Sequence, residues 1–237
     1  MKKIGNIKKE NVMTVAALLA ACAIGISGGT LAYLTDHEEV KNEFVVGKVD
    51  IEEEEPDYHP DEDGKTSDIV PGQEIPKNPL LKNVGENDAF VYMDVSIPIA
   101  QVVTADDNGN RLNNGEAQET ELFSLENLQL SGEEQMDGWN LMYQKKSGDY
   151  MVYVYNYDSI LKPGESTKPL FTSVKFANII EGQLDQAQLE IPVRSYAIQT
   201  VNTSDGKGSV REQATQAWEK YYNQNSGQEG AATAGLN

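Results

Sequence analysis

Residues 89–99 read Ala-Phe-Val-Tyr-Met-Asp-Val-Ser-Ile-Pro-Ile. β-Branched and aromatic side chains crowd this run, and its period is two. Phe90, Tyr92, Asp94 and Ser96 fall on one face, and Val91, Met93, Val95 and Ile97 on the other. The second face is the better core face. A helix would scatter both sets around its axis, so the run predicts a long strand and a chain organised around a sheet.

Other short apolar runs recur with turn residues between them. Residues 44–51 (Phe-Val-Val-Gly-Lys-Val-Asp-Ile) predict a first strand, and 75–83 a proline-bearing edge strand. Residues 139–143 and 150–155 predict a hairpin around 145–149, and 170–176 and 187–199 two later strands. Leu161-Lys162-Pro163-Gly164-Glu165 is a turn, with Pro and Gly where a tight reversal wants them. Residues 119–128 predict a short helix with Leu122, Leu125 and Phe123 inward. Val210, Ala214, Ala217, Trp218 and Tyr221 recur at spacings of three and four, which predicts a C-terminal helix. Ser209 with Glu212 has the form of a capping box at its start. The fold class expected is mainly β, an antiparallel jelly-roll-like β-sandwich with one or two short helices.

Ahead of the first strand lies a different material. Lys2, Lys3, Lys8 and Lys9 precede an almost unbroken apolar run over 12–27, and Thr30-Leu31-Ala32 puts small residues on either side of a larger one. This is the form of a signal peptide over 1–32, cut between Ala32 and Tyr33. An uncleaved anchor is one alternative. Leu19-Ala20-Ala21-Cys22 also has the form of a lipidation site, although no polar tether follows it. Cleavage after Ala32 would leave a chain without cysteine and so without disulfides. The remaining chain divides into an N-terminal strand segment over 33–51, a sandwich domain over 52–205 with an acidic loop at 52–68, a helix over 206–222 and a polar tail over 223–237, whose composition predicts disorder.

The whole chain has 237 residues, 38 acidic against 19 basic, for a net charge of −19. Such a balance repels nucleic acid, and no basic patch with interleaved aromatics occurs.

Several of these pieces resemble the TasA/camelysin group of secreted Gram-positive matrix proteins, exported with a SipW-type signal peptide. The resemblance rests on Gly28-Gly29-Thr30-Leu31-Ala32-Tyr33-Leu34-Thr35-Asp36, then Asn42-Glu43-Phe44 and Gly47-Lys48-Val49-Asp50-Ile51. It continues through Pro71-Gly72, Lys77-Asn78-Pro79, Asn83-Val84-Gly85, Leu161-Lys162-Pro163-Gly164-Glu165 and the closing Tyr196-Ala197-Ile198-Gln199. It implies a secreted protein at the cell surface or in a biofilm matrix, processed by a signal peptidase of SipW type. It also implies self-association into filaments, by donation of the freed N-terminal segment as a strand to the next subunit. Carried onto this chain, the donor lies within 33–51, with Phe44, Val45, Val46, Val49 and Ile51 as its apolar residues. A monomeric surface adhesin that binds matrix or cell-surface partners is the alternative.

The camelysin side of the group implies a third reading, a secreted metalloendopeptidase. A zinc hydrolase needs about three nitrogen or carboxylate ligands, commonly with two His one helical turn apart. The sequence offers His37-Glu38-Glu39-Val40-Lys41, where Lys41 takes the place of the second His, and one other histidine, His59. No enzymatic activity is expected from this inventory, and no cofactor beyond loosely bound calcium. The calcium candidates are Asp106, Asn108 and Asn110, which have the spacing that opens an EF-hand loop, but Arg111 and Ala117 replace its Gly and Glu. A hairpin loop is the better reading. Tyr150, Tyr153, Tyr155 and Tyr157 suggest either a glycan platform or sheet packing.

Overall fold

The structure is a computed structural model that describes residues 35–38, 49–60, 69–132, 137–184 and 187–225. Among them run eleven strands and one α-helix. Strand β1 is Thr35–Glu38, β2 Ile51–Glu54, β3 Glu74–Pro76, β4 Leu80–Asn83 and β5 Ala89–Val102. Then come β6 Gln118–Glu121, β7 Phe123–Glu126, β8 Trp139–Ser147, β9 Tyr150–Tyr157, β10 Ser173–Phe176 and β11 Val193–Gln199. Helix α1 is Val210–Asn225.

The largest sheet runs β1-β11-β5-β9-β8, and β6 pairs with the far end of β5. A second sheet runs β3-β10-β7, and β2 pairs with β4. Each of these pairings is antiparallel. The fold is the antiparallel β-sandwich that the sequence predicts.

β5 is its axis. Over Ala89–Val95 it pairs with β11, and from Ile99 it pairs with β6 instead. Pro98, which has no N–H to give a ladder, sits at that exchange. Val91, Met93, Val95 and Ile97 pack into the sandwich core with Leu81, Trp139, Phe171, Val174 and Phe176. Phe90 and Tyr92, on the opposite face, are equally buried. They form a second cluster with Val152, Val154, Tyr196 and Ile198, and α1 covers it with Ala214, Ala217, Trp218 and Tyr221. The central sheet is therefore buried on both faces, and the helix makes the second possible.

Two turns show why their residues stand where they do. Gly164 has φ +81° after Pro163, and its N–H donates to the Asn83 carbonyl at 2.8 Å. Gly148 has φ +59° in the two-residue loop between β8 and β9, a value the twist of a tight hairpin favours.

Some expectations are corrected. Residues 119–128 are not a helix: β6 pairs with β5 and β7 with β10. Leu122 sits at the break, 1% exposed, so the apolar residues there serve two sheets rather than one helical face. The acidic stretch from residue 52 is not all loop, because Glu52, Glu53 and Glu54 form β2 against Lys82, Leu81 and Leu80. The helix begins at Val210 and continues to Asn225, three residues into the segment read as a tail. The strand expected over 187–199 starts only at Val193.

Candidate functional site

The edge of the large sheet is built from the first described residues of the chain. β1 lies antiparallel on β11, with Thr35 opposite Ile198, Asp36 opposite Ala197, His37 opposite Tyr196 and Glu38 opposite Ser195. Its other side carries no strand among the described residues. β11 is in turn held by β5 along its inner side. Among the described residues the outer backbone edge of β1 is left unpaired, and such an edge can take up a further strand.

A groove of about 390 Å³ lies between the β2 region and the start of β11, lined by Glu53, Glu55 and Lys77 and by residues 190–194. The Ser195 hydroxyl donates to Glu53, tying β2 to β11. Lys77 pairs with Glu55, and its ammonium lies 4.7 Å from the centre of the Tyr58 ring. The Asp57 N–H donates to Asn78 Oδ1 at 2.8 Å, and Asn78 Nδ2 donates back to the Asp57 carboxylate at 2.8 Å. These bonds fasten the start of the acidic run to the body.

The predicted site residues divide. Ala32, Tyr33, Phe44, Val45 and Val46 lie outside the described residues, as do Cys22 and 226–237. Val49 and Ile51, the other two donor candidates, are 3% and 2% exposed and sit in the core of their own subunit. Ile51 opposes Asn83 on β4.

Asp106 closes a hairpin. Its Oδ1 accepts the N–H groups of Asn108 at 2.9 Å and Asn110 at 2.8 Å, and Oδ2 accepts from Asn110 Nδ2 at 3.0 Å. The Asn110 bonds hold this carboxyl below its ordinary range. Asp106 is thus a turn organiser, as the hairpin reading expects.

Of the tyrosines, Tyr155 and Tyr157 are buried, and the Tyr153 hydroxyl donates to the Glu121 carboxylate at 2.7 Å. They are packing and bracing residues rather than an open platform. His59 is exposed. No group of three or more His, Cys, Asp or Glu side chains placed to hold a metal ion occurs among the described residues.

Asp94 was not singled out as a site residue, and the structure makes it conspicuous. The side chain is 1% exposed on the central strand, with Arg194 Nη1 3.8 Å away. Burial pushes its carboxyl up to about 6, against the lowering pull of Arg194, Ser96, Lys145 and Tyr196. An ionisable residue within an apolar alternation is the sequence signal for it.

An antiparallel sandwich whose sheet edge is made by its own N-terminal strand is the class that this geometry defines. The family model of the camelysin metallo-endopeptidases matches residues 6–134, which is more than half of the chain. The chain belongs to that family, which includes TasA-like proteins. No curated protein and no solved structure matches it. The family description implies a metal, and the described residues do not fit one: a catalytic zinc takes about three converging ligands, and none converge here.

Proposed function

We propose that the protein is an exported structural protein. Removal of its leader frees the N-terminal strand, which copies then exchange to build fibres of an extracellular matrix. The observation that carries this reading is the position of β1. It is an edge strand, it follows the predicted cleavage site at once, and among the described residues only β11 pairs with it. The segment over 39–48 joins it to the body and can span about 30 Å when extended.

The same ladder can form in cis or in trans. A neighbour's residues 35–38 set against Ile198, Ala197, Tyr196 and Ser195 would make the bonds this copy makes to itself. Exchange therefore costs little backbone energy. A head-to-tail contact of this kind does not close, so it extends into a filament. Before cleavage the strand is tethered to the leader and cannot be given away. Val49 and Ile51 lie in the subunit's own core, so on this reading the donated portion is upstream of them.

Electron microscopy of the secreted product, with sequencing of its N-terminus, tests the reading. Filaments from a chain beginning at Tyr33 are expected. A product that stays monomeric at every concentration would point to an adhesin-like module instead.

The name of the family favours a second reading, a metallo-endopeptidase. A general protease assay on the purified protein, with added zinc and then with chelator, decides it. Chelator-sensitive cleavage would move the function to the peptidase class.

A further inference from the structure

The face of the sheet beneath α1 carries a polar cluster that strand exchange does not use. Asp94 Oδ1 lies 3.5 Å from the Ser96 hydroxyl, at the limit of a hydrogen bond. Among the described residues Asp94 Oδ2, the Tyr143 hydroxyl and Trp218 Nε1 make no hydrogen bond of good geometry, while Tyr196 approaches Asp94 and Trp218 approaches Tyr143 as looser polar contacts. Arg194 at 3.8 Å is too distant to donate.

The polar and titratable groups on this face of the sheet come from four elements. β11 contributes Arg194 and Tyr196, and β8 contributes Lys145 and Tyr143. α1 contributes Trp218 and Tyr222, which act on Tyr143, and Tyr221, which acts on Tyr196, while β9 contributes Tyr150 and Asn156 beside Val152 and Val154 on this face. Trp218 links the cluster to the helix: its ring lies 4.8 Å from that of Tyr92 and 5.2 Å from that of Tyr196. At the seam between sheet and helix, Tyr143 and Tyr196 thus stand between the helix and a buried carboxylate whose charge its surroundings compensate only in part. A carboxylate can only accept, whereas a neutral carboxyl sheds the buried charge and gains an O–H donor.

We propose that Asp94 is a proton-operated latch on the C-terminal helix: ionised, it loosens the seam, and neutral, it lets α1 seat fully over Phe90, Tyr92 and Tyr196. The helix then closes on this aromatic face as the surroundings turn mildly acidic and opens from it more readily at neutral pH. Burial, which raises the carboxyl to about 6, sets where the latch turns.

Nuclear magnetic resonance on the labelled protein tests it between pH 7.5 and 4.5. The Asp94 carboxyl carbon and the Trp218 indole N–H should titrate together with a midpoint near the raised value. Amide protection across α1, corrected for intrinsic exchange, should rise about tenfold on acidification. Asp94→Asn should hold high protection at both ends of the range. Arg194→Gln should move the midpoint upward, since it removes the main cation that favours the charged form. Flat protection in the native protein, an Asp94 midpoint in the ordinary carboxylate range, or a helix transition that persists in Asp94→Asn would each overturn the proposal.

Discussion

The Tyr92 hydroxyl donates to the backbone carbonyl of Ala214 at 2.7 Å, joining the central strand to the only α-helix among the described residues. Both ends are buried: Tyr92 and Ala214 are each 0% exposed. Burial holds this phenol well above its ordinary pKa. Tyr92→Phe keeps the ring against Trp218 and loses the bond alone. A loss of about 1–2 kcal/mol is expected, because the Ala214 carbonyl is left without this donor. Denaturant titration with the slope unchanged would confirm it.

Stability should depend on pH in the unusual direction. Asp94 has a pKa of about 6 in the folded protein against an ordinary 3.8. The folded state thus holds the proton more tightly than the unfolded chain does. Its contribution is fully present below the ordinary value and is lost as the pH rises through about 6. The span between the two values is worth on the order of 3 kcal/mol. Unfolding free energy should fall between pH 4 and pH 7. Asp94→Asn should flatten the fall and be the more stable protein at pH 7. A parallel fall in the variant would assign the effect to the general acidity of the chain instead.

Asn83 is a buried knot. Its Nδ2 donates to the carbonyls of Asn87 at 2.9 Å and Leu161 at 2.8 Å, and its Oδ1 accepts the Gly85 N–H at 3.0 Å. One side chain thus fixes the turn after β4 and pins the segment at Leu161 beside it. Asn83→Ala should cost about 2–3 kcal/mol, since it removes three hydrogen bonds at once, although the Gly85 N–H keeps the Asp50 carbonyl and the Leu161 carbonyl keeps the Ala89 N–H. Asn83→Asp should cost at least as much, because a carboxylate cannot donate to either carbonyl. Thermal unfolding of both variants checks the order.

Legibility in the sequence followed how many demands each stretch must satisfy. The strand at 89–99 was plain because β-branched and aromatic residues fill both of its faces. Its second burial was not plain, since Tyr92 and Asp94 look like a polar face until a helix from far along the chain packs on Phe90 and Tyr92. Ser209 and Glu212 announced the helix start through local chemistry alone. Glu212 Oε2 accepts the Ser209 N–H at 2.7 Å, and the Glu212 N–H donates to Ser209 Oγ at 3.2 Å. Residues 118–126 misled because Leu122, Phe123 and Leu125 suit a helical spacing, while the chain in fact breaks at Leu122 between two sheets. Glu52–Glu54 looked like loop because the charge run hides an edge strand, whose backbone pairing with β4 does not depend on side-chain character. For the candidate site, the sequence marked the segment but not β11 as the strand it lies on, which is a long-range pairing.

The capping box yields a prediction of its own. Ser209→Ala should destabilise by about 1 kcal/mol, and Glu212→Ala should add little to it, because the two side chains act as one reciprocal unit. A double-mutant cycle by thermal unfolding measures the coupling.

Strand exchange is tested most directly at Glu38 and Ser195, which face each other across the β1–β11 ladder. Such opposed positions are close enough for a disulfide. Glu38→Cys and Ser195→Cys are made in separate copies of the secreted protein, mixed under assembly conditions and oxidised. Covalent dimers joining one variant to the other, within filaments seen by electron microscopy, are expected. If the two variants never cross-link in the mixture, while the double variant closes its disulfide within single chains only, β1 stays at home and the account is contradicted.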